Sequence, residues 1–416
     1  MRAVAIEWRA VELNAATFAP VPGHGTQSVD LAMYTDDLVA VSDALVQLLP
    51  NVRRLNFGGT KSPPLDSALY GRLAGHYAEQ LQHIYCKYPI SVPPGHPFQR
   101  LQSVWIIDDR VADYELPQMA SGELVDLALS CGPVNHSWAS FSTDSDSRVI
   151  EFTKLKKLST SYLGLYKVGG IAVRHRDGHP WILRLPELKR LSISCRESMC
   201  PLLEYAVLPP RMVSIAIELT LAAFQQQADV VLPATKSLSL KVSQWSGGNP
   251  GGFSVINRLV DNARRSGSVE LMINDHTLAV HPESITCTAL TRLVVAGPAS
   301  IDTMLALIKQ MPRLSELAFG SLTPGHIQTD ISIPDADQAA AVEPLSTSLR
   351  VLEMAYDPEP VSSDLAVALA QCMLLRIPSL VKLHTSDTPK DLVLDFVDEY
   401  AEHYPRLEGV ELFFGY

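Results

Sequence analysis

The sequence predicts an α/β solenoid: a parallel sheet built from one short strand per repeat, with helices on its other side. Three observations predict it. A phrase of the form apolar, two variable residues, apolar, one variable residue, apolar recurs along the chain. A Leu-Pro pair or close equivalent stands ahead of several copies. The longer stretches between copies place apolar residues at helical spacing.

The phrase first reads Leu49-Pro50-Asn51-Val52-Arg53-Arg54-Leu55-Asn56-Phe57 and returns after Leu185-Pro186, Met311-Pro312, Ile377-Pro378 and Tyr404-Pro405. Anchored on its first apolar position, it fits at Val52, Leu81, Leu101, Leu124, Leu155, Leu188, Met212, Thr235, Ser268, Leu290, Leu314, Leu349, Leu380 and Leu407. Successive anchors lie about 20 to 35 residues apart, room for a strand and a return segment. Thr235 and Ser268 are polar anchors whose later positions still fit, and the segment Leu124 to Leu129 fits a helix equally well. Between strands, Asp36 and Asp37 head a helix that ends at Pro50. Ser300 is the expected N-cap of a helix from Ile301, and Ser362 or Ser363 that of a helix from Leu365 to Ile377. From Lys390 to Tyr404, Leu392, Phe396, Val397 and Ala401 share one face. Each recurring proline falls after a helix and before a strand, where it stops the helix and removes no ladder donor. Asp177-Gly178, between Ile171-Ala172-Val173 and Trp181-Ile182-Leu183, predicts a hairpin turn. Residues 1–50 form an N-terminal capping region of strand, loop and helix, and residues 51–416 the repeat array.

With right-handed crossovers such a sheet coils into an arc, helices on the convex face and the third, fifth and seventh positions of each phrase on the concave face. These repeats resemble leucine-rich repeat proteins over about residues 50–412, and specifically the irregular arrays of fungal F-box proteins. The Asn or Cys ladder of regular arrays is replaced by a mixture (Thr60, Asp109, Arg196, Pro298, Leu322, Asp357, Thr388), with only Cys131 and Cys195 close to it. The resemblance implies a leucine-rich-repeat solenoid that recognises substrates for a ubiquitin ligase and meets the ligase's adaptor through an F-box. No F-box is recognisable ahead of Val52, so a lost module, a fragment and a different class all stay open. The alternative is an enzyme regulator such as a small-GTPase activator of the leucine-rich-repeat type, a class that carries a regular Asn ladder and a catalytic arginine.

Composition agrees with a protein-binding array. The chain is 47% hydrophobic and 19% charged, and no apolar run reaches bilayer-spanning length. Charge and Trp8 come too early for a secretory signal, and six cysteines without a CxxC pair point to reduced thiols in cytoplasm or nucleus. Residues 301–416 hold 7 Lys+Arg against 18 Asp+Glu, so they carry the whole net charge of −11. Free nucleic acid is a poor partner for that surface. No membrane association is expected.

No catalytic residue, cofactor or metal is expected. Gly247-Gly248-Asn249-Pro250-Gly251-Gly252 lacks the spacing of a phosphate loop and reads as a strand-to-helix connection, and His175 and His179 flank the predicted turn. The candidate site is the concave column. Its early members, Arg54, His83, Tyr85, Trp105, Lys157 and Arg190, are of the kinds that dominate interfaces. Its later members are Lys241, Arg292, Glu316, Glu353 and Glu411, so the column runs from basic and aromatic to acidic.

Overall fold

The computed structural model describes residues 4–7, 28–32, 51–57, 71–86, 98–108, 121–131, 148–161, 182–195, 206–227, 229–243, 251–263, 266–324, 343–356, 361–386 and 388–415, with positions 43, 46, 47 and 141. The chain divides into two compact units, Met1–Met212 and Val213–Tyr416.

In the first unit the strands are β1 (Val4–Glu7), β2 (Ser28–Ala32), β3 (Arg54–Phe57), β4 (His83–Cys86), β5 (Ser103–Asp108), β6 (Asp126–Cys131), β7 (Val149–Glu151), β8 (Lys157–Ser161), β9 (Ile182–Arg184), β10 (Arg190–Cys195) and β11 (Ala206–Val207). Eight of them make one parallel sheet in the order β1-β2-β3-β4-β5-β6-β8-β10. The other three form a small parallel sheet, β11-β9-β7. In these repeats a short strand, not a helix, precedes the strand of the main sheet, with Ile150, Phe152, Leu183 and Leu185 buried. This corrects the predicted hairpin. β9 lies between β7 and β11 and pairs in parallel with both, which leaves it no edge for an antiparallel mate. The turn at Asp177-Gly178, His175 and His179 lie outside the described residues, as does most of the helix expected from Asp36 to Pro50.

The second unit holds all but the first two residues of β12 (Arg211–Leu219), then β13 (Ala234–Ser243), β14 (Ser268–Asn274), β15 (Arg292–Ser300), β16 (Glu316–Thr323), β17 (Val351–Tyr356), β18 (Lys382–Ser386) and β19 (Glu411–Gly415), adjacent in chain order. Its helices are α1 (Leu221–Gln226), α2 (Gly251–Asn262), α3 (Ile301–Gln310), α4 (Ser363–Arg376) and α5 (Lys390–Ala401). One strand per repeat, paired in parallel, with its helices burying apolar residues, is an α/β fold of the leucine-rich-repeat type. The repeats are irregular, as the mixed ladder positions predict.

The inward rows make the core. Leu55, Ile84, Val104, Leu127, Leu158 and Leu191 lie side by side in the first unit, none more than 3% exposed. Leu240, Leu271, Leu293, Leu317, Leu352 and Leu383 do the same in the second, and the apolar anchors before the strands are buried too. Ladder spacing stacks these side chains at contact distance, so burial accumulates from repeat to repeat.

A main-chain device fixes the register. The carbonyl one residue past the anchor accepts two N–H groups from the next strand. Arg53 O takes Gln82 N at 2.8 Å and His83 N at 3.1 Å. The arrangement recurs at Gln82, Gln102, Val125, Lys156, Thr291, Ser315 and Arg350. In the second unit hydroxyls reinforce the strand starts, with Ser315, Ser348 and Ser379 donating to the carbonyls of Thr291, Leu314 and Leu349.

Helix ends follow ordinary capping chemistry. Ser300 Oγ accepts the Thr303 N–H at 3.1 Å, and Ser362 Oγ that of Leu365 at 3.2 Å. Arg406 donates to the carbonyls of Leu374, Leu375 and Ile377 at the C-terminal end of α4, where the helix dipole favours a cation. Residues 247–250 of the glycine run lie outside the described residues, but Gly252, inside α2, is tightly fitted. A Cβ on Gly252 would stand 2.3 Å from the Leu221 carbonyl oxygen, so α2 starts where only glycine fits against α1.

Two anchors shift by two residues. Ser237 pairs with Ser268, and Leu240 with Leu271, so the β13 repeat is anchored at Ser237, not Thr235. Leu383 pairs with Leu412, which moves the last anchor from Leu407 to Gly409. The segment from Leu124 becomes strand β6 after a short 3-10 turn at Ser121–Glu123. On α5 the buried residues are Val393, Phe396, Val397 and Tyr400, while Leu392 is exposed. Among the described residues, no helix is long and apolar enough to cross a membrane.

Candidate protein-interaction face

Strand alternation puts third and fifth positions opposite the buried rows, and the ladder aligns them. In the first unit the third-position row reads Arg54, His83, Ser103, Asp126, Lys157, Arg190, and the fifth-position row Asn56, Tyr85, Trp105, Ala128, Ser159, Ser192. Tyr85 and Trp105 sit side by side with ring centroids 5.7 Å apart, tilted by 36°. Trp105 is 40% exposed although it lies on a strand. Its Nε1–H donates to Asp126 Oδ1 at 3.4 Å, and the other carboxylate oxygen holds Lys157 Nζ at 3.3 Å.

Asp126 therefore joins the aromatic pair to the cations, a role its sequence position did not reveal. β6 lies between the strands of Trp105 and Lys157, and Asp126 spans that gap. Exposed Arg190 makes no ion pair among the described residues. His83 is held below the usual imidazole range, first by burial and then by the Arg54 guanidinium, so it is neutral at physiological pH.

In the second unit the third-position row is Ser239, Glu270, Arg292, Glu316, Val351, Lys382, Glu411. The fifth-position row is Lys241, Met272, Val294, Ala318, Glu353, His384, Phe413. Arg292 is clamped between two carboxylates, Glu270 at 2.6 Å and Glu316 at 3.0 Å, while Lys241 pairs with Glu218 at 3.2 Å. The charges here are spent largely on each other. The corrected register places Glu411 in the third-position row beside Lys382, and it brings up a residue sequence reading missed, Phe413. Lys382 Nζ stands 4.5 Å from the Phe413 ring centroid, and His384 meets the same ring edge-on at 6.3 Å. Among the described residues, no three His, Cys, Asp or Glu side chains converge as a metal site would require.

No protein-family profile matches the chain. No curated protein matches it either. Among solved structures it is similar to the leucine-rich repeat-containing protein LegL7 from Legionella pneumophila, at 11% identity and a TM-score of 0.25, covering 96% of this chain and 98% of that one. At that TM-score the likeness adds nothing to the fold assignment, which stands on the strand ladder.

Proposed function

We infer that this chain is a non-catalytic protein-interaction module whose partner docks on the sheet face of the first unit. One observation carries the reading: Trp105, a large ring left 40% exposed, paired with Tyr85 and oriented by Asp126. An oriented aromatic pair beside exposed cations is the composition of an interface hot spot, since the rings supply area at low entropic cost and the cations steer approach. The finer reading, implied by the resemblance to F-box arrays, is recognition of substrates for a ubiquitin ligase.

The test is affinity capture with the intact chain and with Trp105→Ala. Recovery of an adaptor–cullin pair supports the ligase reading, and recovery of a small GTPase replaces it with enzyme regulation. On whichever partner is recovered, Trp105→Ala should mainly speed dissociation. Arg190→Glu should slow association in a salt-dependent way, and more than Lys157→Glu, because Lys157 is already paired with Asp126. Unchanged kinetics in Trp105→Ala would remove the face from consideration.

A further inference from the structure

We propose that a groove along the strand starts of β14 to β18 binds a segment of a partner protein that carries phosphoserine or phosphothreonine. The site belongs to the second unit and does not rest on the aromatic face of the first. Its cavity measures about 1010 Å3, and its lining sets three arginines, Arg292, Arg313 and Arg350, against one carboxylate, Glu316. This gathering of cations stands in the acidic part of the chain. Residues 301–416 hold 7 Lys+Arg against 18 Asp+Glu, yet Arg313 and Arg350 both line the groove.

The three arginines are placed differently. Arg292 is committed to Glu270 and Glu316, at 2.6 and 3.0 Å, and so neutralises the one carboxylate of the lining. Arg313 donates to the Ser266 carbonyl at 3.2 Å, a neutral acceptor that orients the guanidinium. Arg350 is exposed and makes no ion pair or side-chain hydrogen bond among the described residues. Its main chain is nonetheless held on both sides. The N–H donates to Ser315 O at 2.8 Å, and the carbonyl accepts from Val381 and Lys382 at 2.8 and 2.9 Å. A fixed backbone with an open charge makes Arg350 the anchor.

The neutral lining narrows the chemistry further. Ser315, Ser348 and Ser379 already donate to main-chain carbonyls, so they hold no proton for a ligand. Ser268 and Thr347 are exposed, and their hydroxyls have no partner among the described residues. Thr347 sits in a turn closed by Ser346 Oγ, which accepts the N–H groups of Ser348 and Leu349 at 3.2 Å each. A phosphate ester suits this set better than a run of carboxylates. It places nearly two charges on one group, meets a guanidinium fork with paired oxygens and accepts hydroxyl protons as well. A run of carboxylates would spread its charge over an acidic surface and be repelled. The volume stands at the upper end of ligand pockets, about 300–1,000 Å3, which accommodates residues flanking the phosphate and is far too large for a bare ion.

Fluorescence anisotropy on the intact chain tests this, using a labelled peptide of Ala and Gly around one phosphothreonine. The peptide should bind about tenfold or more tightly than its unphosphorylated and glutamate-bearing twins, and should weaken as salt rises. Arg350→Gln should lower affinity by about tenfold or more while leaving the thermal melt unchanged. Arg350→Lys should restore only part of the loss, because an ammonium cannot form the paired bonds. Trp105→Ala should leave affinity for this peptide unchanged, so the groove and the aromatic face stand or fall separately. Equal binding of the unphosphorylated twin would overturn the proposal, as would full affinity in Arg350→Gln or its loss in Trp105→Ala. Inorganic phosphate competing at the peptide's own concentration would reduce the groove to an ion site. Tighter binding of a short RNA would hand it to nucleic acid, and either result sinks the assignment.

Discussion

Thr160 and Thr385 occupy the same inward position in different repeats, and their surroundings treat them differently. Thr385 exchanges a hydrogen bond with Thr388, so its buried hydroxyl is satisfied. Thr160, equally buried, finds no partner for its hydroxyl among the described residues. Thr160→Val keeps the shape and removes the orphan, and should raise stability by about 1 kcal/mol in urea unfolding. Burial also pushes the Tyr77 and Tyr356 phenols and the Cys287 thiol up to about 12. Their folded-state values lie above the unfolded ones, so the native state holds these protons more tightly. The stability this contributes is fully present below about pH 9 and is lost as pH rises through 12. Denaturant midpoints should accordingly be flat from neutrality to pH 9 and fall above it. The inward rows were legible in the sequence because leucine recurs at fixed spacing. The part played by Asp126 was not, because an ion pair across strands depends on which strands are neighbours.

At the level of elements, caps and close contacts set the costs. Ser300→Ala deletes the N-cap of α3 and should lower stability by about 1 kcal/mol in thermal melts. Gly252→Ala would ordinarily favour a helix, yet here it drives a methyl into the Leu221 carbonyl and should cost about 1–3 kcal/mol by the same measurement. Helix starts were readable because capping is local. Strand register was readable only where the phrase fits one way. β13 alternates buried and part-exposed residues through Leu238, Leu240 and Val242, so the phrase matches at two offsets and pairing with β14 decides between them. Leu407 misled for another reason: it is buried in a 3-10 turn, Pro405–Gly409, whose spacing imitates the first half of the phrase. The small sheet of β7, β9 and β11 has strands of two or three residues, too short for any period to show.

For the molecule as a whole, cohesion is carried from neighbour to neighbour. Ending the chain after Gln310 removes β16 to β19 with α4 and α5, and of the earlier strands only β15 loses a partner. Circular dichroism should retain a cooperative melt of reduced amplitude, where a single closed core would collapse outright. The same logic gives the doubly used carbonyls a wider meaning. Donors and acceptor are all main-chain atoms, so alignment is written in the backbone and almost no side-chain replacement can erase it. Proline at a donor position is the exception. Lineages carrying such a sheet can rewrite what the surface rows say, residue by residue, and can lengthen or shorten the loops between strands, without strands slipping past one another. Novelty in recognition then costs little in architecture.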